Sequence, residues 1–524
     1  MPRPPRRPRP VVLALLLAAI VLGIIALWIR PRGPVETRVT PRLIVLVVVD
    51  QMRVDYLDRY RAEFIGGFKR LLENGAVFTE ARYPYARTET AQAHALMLSG
   101  QAPSVTGIVS DTWYDRVAGK DIIAAESTDH PLLDNGRVGG SPEQMLVHTL
   151  GDAIKARDRR SMVVSMSWKR YAAVLMGGQH PDAALWFDPA TGRFVTSTYY
   201  ATNYPSWAAA CHDHDLTAPY FGRVWVGHRL GEGSAPEERY RTTLRASPFA
   251  NAILLACASA VLAASGVGGD DQVDVFAVSF SGLDYVGHVY GPETPEFEDT
   301  LRAMDRQLGA LLDALDMHVG ASNYSLALTG DHGAALLPER QVARGEEAGR
   351  LDAKAFRAAV VSALATRFGD ADKLIARFEP PEFYLDYAEG QRRGIAPGDL
   401  DAAVAAAVRG QPGVAQAYTR SQILAAEGTH DPILRAVALS FHPARSGDVY
   451  LVVRPNFIFW GATGTHHGTP YDYDTHVPLI FYGRGFRRAV VPTPVDMRDL
   501  APTLARVAGV ELPRVPGRVL EQAF

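Results

Sequence analysis

The stretch RLIVLVVVD, residues 42–50, indicates the fold of this chain. Its apolar residues follow one another without the polar alternation of a strand that has one face in water. A continuous run of this kind is typical of a strand buried on both faces in a parallel sheet. The run ends in a carboxylate, Asp50, so we expect a charged group where this strand reaches the edge of the sheet.

Further apolar runs predict strands, and the segments between them predict helices. The strand candidates are residues 162–167, 273–281, 324–330 and 478–483. The helix candidates are residues 64–78 (with a stop at Gly75), 91–100, 143–156, 297–315 and 497–509. Strands that alternate with helices in this way predict a doubly wound α/β core, with a mostly parallel central sheet and helices on both faces.

Two regions interrupt this alternation. Residues 186–245 (the insertion) are rich in Tyr, Trp, His and Pro and have weak periodicity, whereas residues 338–450 predict helices and short strands. We interpret the second region as a small cap subdomain (the cap), and we expect both regions to lie over the carboxyl edge of the sheet. The catalytic core would then comprise residues 40–337, which include the insertion, and residues 451–524.

The N-terminus predicts a membrane anchor. Residues 1–10 contain four arginines and no acidic residue, and residues 11–29 are uncharged and apolar. A helix of that length comes close to spanning a bilayer core of roughly 30 Å. We interpret residues 1–32 as a cytoplasmic arginine-rich segment with an uncleaved transmembrane helix, which tethers a periplasmic enzyme to the inner membrane. The alternative is a cleaved signal peptide and a secreted protein, so both interpretations export the remainder of the chain.

The net charge and the two cysteines of the chain bear on its partners and its covalent structure. The formal net charge of the 524 residues is −3, so no basic excess favours nucleic-acid binding. The two cysteines, Cys211 and Cys257, could pair in an exported chain, but Cys257 lies in an apolar helical run where a buried thiol is equally consistent. The sequence leaves this pairing and the oligomeric state open.

Three of the predicted strands lead into carboxylates and histidines. Asp50 ends the first strand, Asp284 and His288 follow the strand at 273–281, and Asp331 and His332 follow the strand at 324–330. A histidine-rich loop comes later, with His466, His467 and His476. Because the carboxyl ends of parallel strands line one edge of an open sheet, these residues are expected to converge there. A mixture of carboxylates and imidazoles suits zinc or manganese, and their number predicts a two-metal centre.

Thr90 is the candidate nucleophile. It stands just before the predicted helix at 91–100, where backbone N–H groups and the helix dipole favour an anion. The alternative is a threonine that only caps the helix.

These motifs resemble the alkaline phosphatase superfamily, and in particular the exported zinc alkaline phosphatases and the type I phosphodiesterases/nucleotide pyrophosphatases that use a threonine nucleophile. The matching pieces are VVVDQMR, RTETAQAHALMLSGQAPSVTGI, SFSGLDYVGHVYGP, LTGDHG and THHGTPYDYDTHVPLIFYG, which follow the order of the family. The segment DMRDLAPTLARVAGVELP extends the resemblance toward the C-terminus.

The resemblance implies two metal sites. One zinc ion would be held by Asp284, His288 and His467, where His467 is preferred to His466 because the ligand of the family precedes a glycine. The second would be held by Asp50, Asp331 and His332, with Thr90 beside it. Manganese or another divalent ion remains an alternative. His476 is expected to support these ligands without binding a metal. The substrate would be a small-molecule phosphate ester that is cleaved through a phosphothreonine.

Three phosphate-facing positions depart in part from the family pattern. Lys169 is present, but Asp111 stands where monoesterases of this type have Asn, and Tyr171 stands where they have Arg. A carboxylate beside a phosphate dianion is unfavourable, and a tyrosine brings no charge. We therefore expect monoesters to be favoured only modestly over the alternative, a phosphodiesterase or nucleotide pyrophosphatase. A lesser alternative is an anchored binding protein that has lost catalysis.

Overall fold

The computed structural model describes residues 40–524, which contain a large mixed sheet. The predicted segment 1–32 lies outside the described residues. In chain order, the ten strands of the sheet are β1 Leu43–Val49, β2 Ala76–Arg82, β3 Val163–Ser167, β4 Ala183–Asp188, β5 Arg193–Val195, β6 Asp274–Phe280, β7 Tyr324–Thr329, β8 His476–Gly483, β9 Ala489–Val491 and β10 Val495–Asp496. The predicted α/β class and the five predicted strands are confirmed.

The centre of the sheet is parallel. The spatial order is β9-β2-β8-β7-β1-β6-β3-β4-β5, and β10 also pairs with β2. Strands β7, β1, β6, β3 and β4 run parallel to one another. Strand β8 runs antiparallel to both β7 and β2, and the edge strand β5 runs antiparallel to β4. The carboxyl ends of β7, β1 and β6 therefore lie side by side, as the sequence predicted.

Strand β1 supplies both hydrophobic cores. Leu43, Val45, Val47 and Val49 face one cluster of buried side chains. The intervening Ile44, Leu46 and Val48 face the other. Successive side chains of a strand point to opposite faces, so a strand covered on both sides must be apolar at every position. This arrangement explains the uninterrupted apolar run from which the fold was predicted.

Helices cover both faces of the sheet. On the face that contains Val45, the helices Gly67–Asn74, Pro248–Ala264 and Pro295–His318 contribute to the cluster. On the opposite face, the helices Thr90–Ser99, Leu150–Arg157 and Leu500–Ala508 contribute.

Two predicted helices have different bounds in the structure. The helix expected over 64–78 occupies Gly67–Asn74, and the chain continues after Gly75 into β2. The helix expected over 143–156 begins only at Leu150. Thr149 and Asp152 form a capping box there, in which each side chain accepts a hydrogen bond from the backbone N–H of the other. This capping box satisfies the first free amides of the helix and thereby fixes its start, which apolar spacing alone does not reveal.

The cap has a hydrophobic core of its own. Its four strands, in spatial order, are Ile375–Glu379, Glu382–Leu385, Val449–Val453 and Val414–Thr419. The helices Ala353–Phe368 and Pro397–Arg409 pack against this small sheet through Phe356, Val360, Leu400 and Val404. The strand Val449–Val453 continues past the predicted boundary at residue 450, and the division into core and cap stays a prediction.

A disulfide ties the insertion to the core. Beyond β4 and β5, the insertion contains short 3₁₀ turns, the hairpin Val224–Trp225 and His228–Arg229, and the helix Glu238–Leu244. Cys211 in this segment is bonded to Cys257 in the long helix Pro248–Ala264, which packs against the sheet. The pairing that the sequence left open is therefore formed.

No single helix in residues 40–524 is long and apolar enough to cross a membrane. The helices Glu238–Leu244 and Pro248–Ala264 reach the necessary length and hydropathy only together, and a bend of 93° separates them.

Replacing both cysteines by alanine is expected to lower the free energy of unfolding by about 2–4 kcal/mol. The two residues are 46 positions apart, so the bond closes a long loop and restricts the unfolded chain. Urea unfolding followed by circular dichroism measures the effect, and the wild type treated with a reductant serves as the control. A double variant as stable as the oxidised wild type would contradict this prediction.

Candidate active site

Three carboxylates meet at the carboxyl edge of the central sheet. Asp50 directly follows β1, and Asp331 follows β7 after Gly330. Asp284 lies in the helix Gly282–Val289, which begins just after β6. All three side chains are buried. Because β7, β1 and β6 are adjacent and parallel, three carboxylates that are far apart in the sequence lie close together.

Three histidines complete this cluster. The Nε2 atoms of His288 and His467 lie 3.1 and 3.7 Å from Asp284 Oδ1. His332 Nε2 lies 3.6 Å from Asp50 Oδ1 and 3.5 Å from Asp331 Oδ2. Ligand atoms lie within 4.8 Å of one another in the groups Asp50–Asp331–His332 and Asp284–His332–His467. The structure thus brings together all six residues that the sequence proposed as metal ligands. It also places His466 in a further group of this kind with His288 and His467.

The three histidines present the same ring nitrogen to the cluster. His288 Nδ1 lies 2.9 Å from the carbonyl oxygen of Thr465, and His467 Nδ1 lies 2.8 Å from that of Thr88. His332 Nδ1 lies 2.9 Å from the carbonyl oxygen of Gly333. A carbonyl oxygen only accepts, so each Nδ1 carries the proton and each Nε2 keeps a lone pair directed at the carboxylates. This is the arrangement in which histidine binds a metal ion.

Burial and neighbouring charges shift the pKa values of the carboxylates. Burial and the charges of Asp284 and Asp331 raise the pKa of Asp50 well above its ordinary value. Burial also acts to raise the pKa of Asp284, but His288 and Lys169 hold it well below its usual range. Carboxylates that repel one another in a buried place need positive charge nearby to remain ionised.

The donor atoms fit divalent metal ions. Asp50 Oδ1 and Asp331 Oδ2 are buried and have no hydrogen-bond donor among the described residues. Burial lowers the pKa of both His332 and His467, which keeps these imidazoles neutral. Buried carboxylate oxygens without donors, next to neutral imidazoles, form a donor set that suits a divalent ion.

Thr90 lies directly beside this donor set. The helix Thr90–Ser99 begins with it, and the preceding residue, Glu89, occupies the N-cap position. The alternative that Thr90 only caps the helix is therefore wrong. Its hydroxyl is buried, 3.0 Å from Lys169 Nζ and 3.4 Å from His332 Nε2.

The residues expected to face phosphate line the same cavity. Lys169 Nζ lies 2.7 Å from one oxygen of Asp50 and 2.7 Å from one of Asp284, so its ammonium sits between the two groups of ligands. Asp111 accepts hydrogen bonds from the backbone N–H of Ala91 and from the side chain of Tyr171. Burial and the neighbouring Glu89 raise the pKa of Asp111 to about 7.

Two other side chains, those of Arg170 and His476, point elsewhere. The Arg170 guanidinium bonds Glu126 and the carbonyl oxygen of Gly139, away from the cluster. His476 bonds the carbonyl oxygen of Thr79 and lies beside Arg82, so it contacts none of the six clustered residues.

Gln51 is a functional candidate that sequence reasoning missed. Its side-chain amide donates to Asp284 Oδ1 at 2.8 Å, and its backbone N–H donates to Asp331 Oδ1 at 3.1 Å. Gln51 has a φ of 63°, which few residues other than glycine adopt. Gly287 makes room for it, because a Cβ there would lie 1.8 Å from Gln51 Oε1. The only signal in the sequence is that Gln51 directly follows Asp50.

His94 is a second residue that the sequence did not single out. It lies one turn after Thr90 on the same helix, and its Nδ1 is 2.7 Å from the carbonyl oxygen of Thr90. Its Nε2 is 2.8 Å from Ser279 Oγ in β6. Burial lowers the pKa of His94 to about 4, so this imidazole is neutral, and its bond to Ser279 joins the helix that carries Thr90 to the sheet. The spacing of four residues from Thr90 could have indicated it.

A cavity of about 1110 Å³ opens over the cluster. Thr90, Asp111 and Lys169 lie in its wall together with Arg239 of the insertion and Glu379 of the cap. Both regions that interrupt the α/β alternation therefore border the place where the carboxylates meet.

Comparison with known proteins identifies the class of enzyme. Residues 44–476 match the family described as type I phosphodiesterase / nucleotide pyrophosphatase. The chain is therefore a phosphoric ester hydrolase. It belongs to the type I phosphodiesterase / nucleotide pyrophosphatase family of the alkaline phosphatase superfamily, which confirms the resemblance seen in the motifs.

Relatives match along nearly the whole chain. Alkaline phosphatase PafA of Elizabethkingia meningoseptica is 30% identical over 507 residues, which cover 90% of this chain and 92% of the relative. Alkaline phosphatase PhoK of Sphingomonas sp is 30% identical over 92% of this chain and 91% of the relative. The crystal structure of PafA superimposes with a TM-score of 0.86 at 29% identity, over 92% of this chain and 99% of that one.

A more distant solved structure shares the fold. Murine ectonucleotide pyrophosphatase/phosphodiesterase 5 superimposes with a TM-score of 0.53 at 14% identity. The match covers 90% of this chain and 97% of the murine chain.

Replacing Gln51 by leucine is expected to lower kcat/KM for 4-nitrophenyl phosphate about 10- to 100-fold. The Asp284 carboxylate would lose the amide donor that fixes its position. Steady-state kinetics at saturating zinc measures the change. Gln101→Leu is the matched control, since that amide bonds the carbonyl oxygen of Arg514 and does not line the active-site cavity. Equal losses in the two variants would contradict a specific role for Gln51.

Proposed function

We propose that this chain is a two-zinc phosphatase that cleaves phosphate monoesters through a phosphothreonine. The observation that carries the proposal is the geometry around Thr90. A buried hydroxyl at the start of a helix lies within 3.4 Å of both an ammonium group and an imidazole of the ligand cluster. Similarity to proteins named alkaline phosphatases supports the same reaction.

Two divalent ions fit the cluster. One would be held by Asp284, His288 and His467, and the other by Asp50, Asp331 and His332 next to Thr90. Bound ions would lower the pKa of the Thr90 hydroxyl and offset negative charge on the phosphoryl group. Zinc is proposed because three imidazoles and three carboxylates suit it, and manganese is the alternative.

The protein side chains carry the chemical steps. Thr90 Oγ1, after losing its proton, bonds to phosphorus while the bond from phosphorus to the leaving oxygen breaks. The products of this step are a phosphothreonine and an alcohol, which takes a proton from solvent. Water then attacks the phosphothreonine, releases inorganic phosphate and restores the hydroxyl. Lys169 stabilises negative charge on Thr90 Oγ1, from which its ammonium is 3.0 Å away.

Monoesters are proposed as the preferred substrates because Lys169 adds a positive charge next to the nucleophile. A monoester dianion gains more from this charge than a diester monoanion does. Asp111 and Tyr171 reduce the preference, since one brings a carboxylate and the other a neutral phenol to the same cavity. A phosphodiesterase on the same residues is therefore the second candidate, which membership of the phosphodiesterase family supports.

We also propose that the enzyme works outside the cytoplasm, tethered through residues 1–32. The apolar segment 11–29 motivates this proposal, and the Cys211–Cys257 disulfide supports it. Disulfides persist mainly in oxidising compartments such as the bacterial periplasm.

Thr90→Ala is expected to abolish turnover and phosphoenzyme formation while the metal content stays at about two zinc ions per chain. The reaction of the zinc-loaded protein, residues 33–524, is stopped with acid during turnover. Mass spectrometry then detects phosphothreonine. Thr90→Ser, which keeps a hydroxyl, is the matched control and should retain activity with a phosphoserine in place of phosphothreonine. A Thr90→Ala variant with most of the wild-type activity would overturn the nucleophile assignment. A wild type that binds zinc without turnover would instead favour the anchored binding protein.

Asp111→Asn is expected to raise kcat/KM for 4-nitrophenyl phosphate about tenfold, because it removes a like charge near the phosphoryl oxygens. The gain for bis(4-nitrophenyl) phosphate should be smaller, since a diester carries less charge. Asp129→Asn, at an exposed position outside the cavity, is the control. In the wild type, kcat/KM should be higher for the monoester. The reverse order would make the phosphodiesterase the better assignment.

A further inference from the structure

The insertion contributes two arginines to the wall of the active-site cavity. Arg239 lies in the helix Glu238–Leu244, and Arg245 directly follows that helix. Both side chains are exposed to the cavity and to solvent. They come from a segment with no role in the reaction proposed above.

These two arginines differ from the other basic side chains of the cavity in their partners. Arg87 and Lys169 are buried and bonded to carboxylates, Arg87 to Glu89 and Lys169 to Asp284. Within residues 40–524, neither Arg239 nor Arg245 has a carboxylate oxygen within 4.0 Å. Their charge is therefore not offset by a direct ion pair in the described part of the chain.

Arg245 lies close enough to the nucleophile for one small molecule to contact both. Its guanidinium carbon is 4.5 Å from the centre of the Tyr285 ring, and Lys169 Nζ is 5.3 Å from the centre of the same ring. Lys169 Nζ is in turn 3.0 Å from Thr90 Oγ1. The cation beside Thr90 and the cation of the insertion therefore both lie within 5.3 Å of the centre of one aromatic ring.

We propose that Arg239 and Arg245 form a subsite for a second phosphate group of the substrate. The preferred substrates would be small phosphate esters whose leaving group carries another phosphate. A guanidinium stays charged at all relevant pH values and presents paired N–H donors that match phosphate oxygens. The inference rests on the proposed function, because it assumes that the first phosphate reacts at Thr90.

Acidic groups in the same cavity could instead favour a substrate with a cationic leaving group. Glu379 of the cap and Asp111 line the cavity, and Glu238 precedes Arg239. A substrate with a cationic leaving group would find its partners among these carboxylates. The anionic substrate is favoured because Glu379 pairs with Arg377 at 3.6 Å and Asp111 already accepts two hydrogen bonds. Glu238 is then a single carboxylate beside the two arginines.

Three matched esters test the proposal on the full chain loaded with zinc. They are propane-1,3-diyl bisphosphate, 3-hydroxypropyl phosphate and 3-aminopropyl phosphate, which share a three-carbon chain and end in an anionic phosphate, a neutral hydroxyl and a cationic ammonium group. Phosphate release gives kcat/KM, counted per phosphate for the bisphosphate. We expect the bisphosphate to exceed the neutral ester about tenfold at low salt, and the advantage to shrink as ionic strength rises.

Variants then assign the preference to the two arginines. Arg239→Gln and Arg245→Gln should each lower the ratio of bisphosphate to neutral ester about threefold to fivefold, and Arg→Lys variants should retain part of it. Arg229→Gln, exposed in the same insertion but outside the cavity, is the control and should leave the ratio unchanged. Arg245 and Lys169 lie over the Tyr285 ring, whereas Arg239 does not. The Arg239 variant therefore removes a charge without removing a side chain that packs on that ring.

The outcomes are distinct. An equal kcat/KM for the bisphosphate and the neutral ester, a preference for the amine, or a ratio that the arginine variants leave unchanged would overturn the inference and leave the proposed phosphatase standing. Failure of the wild type to release phosphate from all three esters would overturn the proposed function and the inference with it.

Discussion

The mutual repulsion of three buried carboxylates is the constraint on which this structure depends. Asp50, Asp284 and Asp331 lie at the ends of adjacent strands, out of contact with water. Such a concentration of negative charge is unfavourable unless cations and hydrogen-bond donors surround it. The surroundings are arranged for that purpose, with Lys169 between two of the carboxylates and three imidazoles whose lone pairs face inward. Thr90, the proposed nucleophile, contacts Lys169 and His332 of the same arrangement.

The parts of the fold that sequence patterns predicted are those governed by simple periodicity. A short uninterrupted apolar run is typical of a strand covered on both faces, and β1 shows this with side chains in both cores. Once the strands are parallel, the convergence of Asp50, Asp284 and Asp331 follows from topology. Thr90 could be proposed as the nucleophile because it stands at the start of a helix. The N-cap position of that helix is occupied by Glu89.

Other features depend on contacts that no local pattern encodes. The role of Gln51 arises from its unusual φ and from two carboxylates far away in the sequence. The start of the helix at Leu150 depends on one reciprocal pair of hydrogen bonds, whereas apolar spacing continues through the preceding residues. The insertion has weak periodicity because short turns and a disulfide hold it together, so the positions of Arg239 and Arg245 could not be inferred before the structure.

Gly287 has a consequence for the hydrogen bond that positions Asp284. The helix that carries Asp284 and His288 passes so close to Gln51 that a single methyl group at residue 287 would overlap its amide oxygen. Any side chain at this position would have to displace the Gln51 amide, which donates to Asp284 Oδ1 at 2.8 Å. The smallest amino acid in the chain therefore leaves room for a side chain that joins the end of β1 to the carboxylate that follows β6.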